Sequence, residues 1–292
     1  MTGYVMKISF KAGSSLARRN FQKLISNKLA MAGGVIIFVM VFLAVFAPFF
    51  TAHDPSFVDP ANRLLQPSSD HPLGTDSGGR DLVARLLYGG RISMLVGLLS
   101  ALGSCAIGVV AGCISGYFGG KTDALLLYIS EIVDSFPQTI LVLIMVGVTG
   151  RGLISLILIF SFTGWMGTHR IVRGRIMALR EEPFVESCKA NGLSSFSIIF
   201  RNMLPNTLGP VIVSLTLSTA RYVLGEASLS YIGLGVPLNI PTWGNIINAA
   251  RNFQIMQQNP VIWIAPGITI SLFVLGVNFF GDGLRDVFDT TQ

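Results

Sequence analysis

Glu131 and Asp134 are the residues best placed to do chemistry in this 292-residue chain. They stand at i and i+3, on one face of a helix, inside the apolar run Ala124–Val148. Carboxylates in such a run face a bundle interior or a polar cavity, where they relay protons or cations or pair with basic groups. Glu131 is close to the start of the run, at a depth of about 10 Å for 1.5 Å per residue. That shallow position favours pairing near one end over a relay. The stretch GYFGGKT (Gly116–Thr122) is similar to a phosphate loop, but Tyr117, Phe118 and Gly119 alone separate its first glycine from the Gly-Lys pair. The phosphate-binding pattern requires one residue more and a preceding strand, so the stretch reads as a tight turn. Cys105, Cys113 and Cys188 form no CxxC pair and read as small apolar filler; His53, His71 and His169 are scattered along the chain. No HExxH or GxSxG occurs. The expectation is a chain with no catalytic residue, no cofactor and no metal ligand of its own.

The elements that must hold these residues follow from composition. The chain is 51% hydrophobic and 12% charged, with a mean hydropathy of +0.63. Soluble domains carry about 25% charged residues, so this chain has too little charge to cover a water-facing surface. It reads as an all-α integral membrane protein. A helix crosses the hydrocarbon core with about 20 residues, and the expectation is six transmembrane helices: Leu29–Phe50, Ile92–Gly120, Ala124–Val148, Gly152–Thr168, Asn206–Leu224 and Val261–Gly281. The first run exceeds a signal-peptide core and follows a long basic segment, so it is expected to be retained. Ala227–Ala250 also lacks charge, but Gly233, Gly235, Pro237, Pro241 and Gly244 break it. Such backbone survives at membrane depth only when protein or a water-filled cavity surrounds it. A packed re-entrant or interfacial loop is expected there.

Orientation follows from lysine and arginine. Segment 1–28 carries Lys7, Lys11, Arg18, Arg19, Lys23 and Lys28 and no acid, and segment 170–205 is basic as well. Both are expected in the cytoplasm, together with the C-terminus, and 51–91 is expected outside. Within 51–91, Arg80–Tyr88 has the spacing of an amphipathic helix at the membrane surface, broken by Gly89 and Gly90. Segment 181–205 reads as a helix, a turn and a second helix. Pro183 suits a first turn and Glu181 and Glu182 its positive end. Gly192 suits a left-handed stop, and Ser194 or Ser195 a cap. Pro205 then opens the next span. Phe184, Val185, Ile198 and Ile199 would be costly to leave in water, so this hairpin is expected to dock a partner.

The hairpin resembles the EAA loop of ABC-importer permease subunits: Glu-Ala-Ala, a spacer, Gly, a longer spacer, then Ile-x-Leu-Pro. Glu186, Gly192, Leu204 and Pro205 match at the right spacing; Ser187 and Cys188 replace the alanines, and Asn202 the isoleucine. HPLGTDSGGRD, YGGRIS, EASLSYIGLG and GDGLRD are similar to signature stretches of the dipeptide, oligopeptide and nickel importer permeases, in their C-type subunit. The resemblance spans residues 15 to 290. It implies a type I ABC importer permease fold with a core over 92–283 in a bacterial inner membrane, and a non-enzymatic subunit that takes up di- or oligopeptides. It implies a path shared with a second homologous permease in a heterodimer, and two ATPase subunits that hold ATP and Mg and grip the EAA loop. A solute-binding protein outside the cell would deliver the peptide, and no nucleic acid would be involved. One alternative within the family is uptake of nickel or a metal chelate. An alternative of another class is an ion-coupled secondary transporter that uses Glu131 and Asp134.

Overall fold

The computed structural model describes residues 21–289. Lys7, Lys11, Arg18 and Arg19, on which the orientation expectation leans, lie outside the described residues. Every regular element among the described residues is helical; one isolated bridge pairs Thr75 with Asp81. Helix α1 (Lys28–Val45) begins where the Asn27 side chain accepts from the Leu29 and Ala30 N–H groups. It is apolar on all faces, and Phe38, 69% exposed, stands on its outer side. Helix α2 (Leu82–Phe118) begins at Asp81, whose carboxylate accepts from the Ala84 N–H. Its 37 residues make it far longer than a hydrocarbon core of about 30 Å requires.

The surface helix expected over Arg80–Tyr88 is not a separate element. α2 runs through Gly89 and Gly90 unbroken, and its Leu82 and Arg85 are each only 1% exposed. The glycines serve packing. A Cβ on Gly89 would lie 3.2 Å from the Thr242 backbone, and one on Gly90 3.1 Å from the Trp243 ring.

The acid-bearing run, expected as one kinked span, is two helices. α3 (Gly120–Asp134) and α4 (Gln138–Thr149) meet at 87°. Pro137 has no N–H to give and disfavours a helical residue before it, so the ladder stops there. Then follow α5 (Leu153–Thr163), α6 (Met166–Arg180) and α7 (Pro183–Ala190). Short turns over Ser195–Ser197, Ile198–Met203 and Leu204–Thr207 lead into α8 (Leu208–Tyr231). Pro205 was expected to open a new span, yet the helical path from Ser195 to Tyr231 is continuous through it. A π turn over Ile198–Met203 precedes the proline. Such widened turns absorb a missing helix bond, which lets the chain pass Pro205 without a break. α9 (Trp243–Asn248) and α10 (Val261–Asp289) complete the fold.

Among the described residues, four helical stretches are long and apolar enough to cross a membrane, and the bent α3–α4 pair counts as a fifth only if its two halves form one broken span. The expected span Gly152–Thr168 holds α5, whose 11 residues reach about 17 Å at 1.5 Å per residue, short of the about 20 residues that a crossing takes. Gly164 and Trp165 separate it from α6.

Two packing devices hold the bundle. Gly108, Gly112 and Gly116 form a stripe on α2 that lies directly on α6. A Cβ on them would meet Thr168 at 2.7 Å, Val172 at 2.7 Å and Ile176 at 2.8 Å respectively. Small residues at this four-residue spacing let helix backbones approach closely where lipid supplies no hydrophobic drive. On the other side, Leu82, Val223, Trp243, Ile246 and Phe273 form a core that joins α2, α8, α9 and α10.

Candidate functional site

The hairpin singled out by the sequence is built as a rigid unit. Pro183 sits in the first turn of α7, with Glu186 near that positive end and Lys189 in the last turn. The helix stops at Gly192, whose φ is +74°. The Gly192 N–H donates to the Lys189 carbonyl at 3.0 Å and the Leu193 N–H to the Cys188 carbonyl at 3.1 Å. This paired return is a Schellman stop, and its left-handed position suits glycine. Ser194 then caps the next turn by accepting from the Ser197 N–H.

One face of this unit is fixed. Val185, Ile198, Ile199 and Met203, none more than 3% exposed, pack with Cys113, Val172 and Ile176 against the ends of α2 and α6. The opposite face is open. Phe196 is 70% exposed, and Phe184, Leu193, Glu186, Ser187 and Pro205 are exposed beside it. Cys188 and Leu204 are half-buried against the fixed face. The aromatic pair Phe196 and Phe200 meets in a tilted arrangement with ring centroids 4.7 Å apart. An apolar knob on a fixed base can seat in a groove of another protein without paying to order itself.

Ion pairs brace the frame beneath it. Arg173 on α6 donates from Nε and Nη2 to both oxygens of Asp123, at 2.5 and 2.6 Å. The Ser115 hydroxyl donates to the same carboxylate. The acids Glu131 and Asp134 do not form a joint site. Asp134 pairs with Arg170 at the start of α6, and Glu131 is exposed on α3.

Sequence reasoning passed over a second constellation. Glu226 is 0% exposed, two residues beyond Leu224, where the fifth span is expected to end. Its Oε2 accepts from the Ser93 hydroxyl at 2.9 Å and its Oε1 from the Ser230 hydroxyl at 2.7 Å. Thr242 Oγ1 accepts from the Asn245 N–H at 3.0 Å and caps the next helix. Ser93 in turn accepts from the Trp243 N–H at 3.1 Å, and Ser230 from the Val236 N–H at 3.3 Å. Asn245 closes the loop by donating to the carbonyls of Val236, Pro237 and Ile240 at 3.1, 3.0 and 3.0 Å. The breaker-rich segment 232–250 is thus a packed plug stitched to α2 and α8. The signal was a lone acid between two apolar runs in which Arg221 is the one other charge.

Comparison with known proteins agrees with the family resemblance. The family described as the binding-protein-dependent transport system inner membrane component matches residues 108–291. The N-terminal transmembrane domain of oligopeptide transport permease C matches residues 15–67. The dipeptide transport system permease protein DppC of Alkalihalophilus pseudofirmus is 38% identical over 93% of this chain and 89% of its own length. The oligopeptide transport system permease protein OppC of Bacillus subtilis is 36% identical over 98% of this chain and 93% of its own. An inward-facing structure of the MetNI methionine ABC transporter superposes with a TM-score of 0.55 at 21% identity, over 71% of this chain and 97% of that one. That likeness carries the fold.

Proposed function

We propose that this chain, which belongs to the family of binding-protein-dependent transport inner-membrane components, is the C-type permease subunit of an importer that takes up dipeptides or oligopeptides. That it is a multi-pass ABC importer permease follows from the family; the peptide cargo rests on its relatives. In this reading a second, homologous permease completes the path across the membrane. Two ATPase subunits supply ATP and Mg chemistry on the cytoplasmic side, and a solute-binding protein presents the peptide outside. The N- and C-termini and the hairpin over 181–205 face the cytoplasm.

The observation that carries the reading is the hairpin itself. Its buried face is fused to α2 and α6 while Phe184, Phe196 and Glu186 stand free. A groove on an ATPase that closes around that knob displaces the hairpin as a rigid body. The displacement passes to the spans through the apolar contact, a shift of packed helices between discrete arrangements. Glu186, Ser187, Cys188, Gly192, Leu204 and Pro205 form the coupling element, and the chain carries out no covalent chemistry.

The test is a reconstituted four-subunit transporter with its binding protein. Gly192→Pro forces φ near −65° where the chain stands at +74°, and Glu186→Lys reverses a charge on the open face. Both variants should insert and assemble, yet lose most peptide-stimulated ATP hydrolysis and uptake. Normal uptake in both would refute the coupling role.

A further inference from the structure

His53 and His71 are distant in sequence, and their spacing showed no metal site. The fold brings them together. The segment leaving α1 and the loop ahead of α2 pack so that the two imidazole rings lie with centroids 4.7 Å apart. Asp70 reaches between them. His53 Nε2 is 3.6 Å from Asp70 Oδ1, and His71 Nε2 is 3.6 Å from Asp70 Oδ2. One ligand atom from each of the three residues lies within 4.8 Å of the others. We propose that His53, Asp70 and His71 bind one divalent metal ion of the zinc class, through the two Nε2 atoms and an Asp70 carboxylate oxygen.

The spacing fits. A tetrahedral ion with bonds of about 2.1 Å separates its donors by about 3.4 Å. Side-chain rotations alone bring the three donors to that value, because His53 and Asp70 have exposed side chains, at 36% and 78%. The donor set fits as well: two imidazoles and one carboxylate suit Zn²⁺ and its borderline neighbours. The exposed side of Asp70 leaves room for water in the remaining position.

What lifts the cluster above a chance meeting of surface groups is the support behind His71. Its Nδ1 lies 3.0 Å from Oδ2 of Asp81, whose side chain is 1% exposed. Asp81 is itself fixed as the cap of α2, accepting from the Ala84 N–H at 2.7 Å. An acceptor-only carboxylate selects the tautomer with the proton on Nδ1. The Nε2 lone pair is then turned toward Asp70 and His53. Metal-ligating histidines are oriented by second carboxylates in the same way. The His53 ring makes one hydrogen bond, between Nε2 and the Asp70 carbonyl at 3.1 Å, and an ion would take that place. The bound ion would clip the end of α1 to the start of α2, within the segment 51–91 read as extracytoplasmic. The proposal concerns a resident ion and stands whichever solute the importer carries.

The test uses the assembled transporter in nanodiscs, stripped with chelator and titrated with Zn²⁺ alone, with metal content read after dialysis. Wild type should retain one zinc per copy of this chain more than His53→Ala. Asp70→Asn, a change at a largely exposed side chain, should weaken binding by roughly 10-fold or more. Affinity should fall as pH is lowered, because protons compete for the imidazoles. Zinc should raise the melting temperature of wild type and leave that of His53→Ala unmoved. Equal zinc retention in wild type and both variants would overturn the site. Loss of the ion in step with ATP-driven turnover would mark it as cargo and overturn its resident role.

Discussion

Replacing Glu226 with alanine should loosen the molecule more than any other single polar change in the membrane region. The carboxylate accepts hydrogen bonds from Ser93 and Ser230, and no solvent reaches it. Alanine leaves both hydroxyls without that acceptor. Side-chain hydrogen bonds in membrane proteins average about 0.6 kcal/mol and reach about 1.7 kcal/mol, so two of them sum to about 1–3.5 kcal/mol. For a chain of this size each kcal/mol moves the melting temperature by about 2–4 °C, and the expected fall is about 2–14 °C. The assay is thermal unfolding in nanodiscs followed by tryptophan fluorescence, with Trp243 seated on the affected contact. Ser93→Ala removes one of the two donors and the acceptor of the Trp243 N–H. Combined with Glu226→Ala it should cost less than the two separate losses added, because both break the same network. Glu226→Gln should fall between, since its amide turns one acceptor into a donor that faces a serine hydroxyl. Hydrogen exchange should rise at Val236 and Trp243, whose N–H groups the two serines hold. A melting temperature within about 2 °C of wild type for Glu226→Ala, against the slope just used, would refute the network's role.

Further expectations are simpler to check. Gly112→Leu places a side chain where a Cβ alone would stand 2.7 Å from that of Val172; overpacking of this kind costs about 1–3 kcal/mol or more, and the variant should melt early and lose uptake, whereas unchanged behaviour would mean α2 and α6 are free to separate. Asp134→Asn removes an ion pair whose side chains are 39% and 56% exposed. Such pairs contribute under about 1 kcal/mol, so stability and peptide uptake should stay near wild type; abolished uptake with intact ATP hydrolysis would favour ion coupling through this acid instead.

How far the sequence could be read depended on whether a signal was local. Each apolar run announces itself by length, and the Schellman stop at Gly192 follows from a glycine three residues after the last basic helical residue, Lys189. Both depend on neighbours in the chain. The continuous passage of α2 through Gly89 and Gly90 depends on Thr242 and Trp243, which lie far along the sequence. A glycine pair that ends a helix and one that admits another segment look alike in sequence. The same holds for His53 and His71, which a count of spacings calls scattered and which the turn between α1 and α2 places ring to ring. Pro137 was legible as a disruption but not as an 87° bend, because the angle depends on what α4 packs against, here α5 through Val142, Val146 and Leu156.

The stripe on α2 and the hairpin explain each other mechanically. Gly108, Gly112 and Gly116 bring the backbones of α2 and α6 into direct contact. Directly packed backbones have no compliant side-chain layer to absorb a displacement, since close-packed interiors transmit strain. The buried hairpin residues Val185, Ile198 and Met203 rest on that same pair, next to Cys113, Val172 and Ile176. In the proposed mechanism, a push on Phe196 therefore moves α2 and α6 together. At its far end α2 carries Ser93 and the glycines that receive Thr242 and Trp243. The plug stitched to Glu226 is thus tied to the helix that the hairpin would drive, and a variant that cuts the Glu226 network should leave ATP hydrolysis responsive at the hairpin while uncoupling it from uptake.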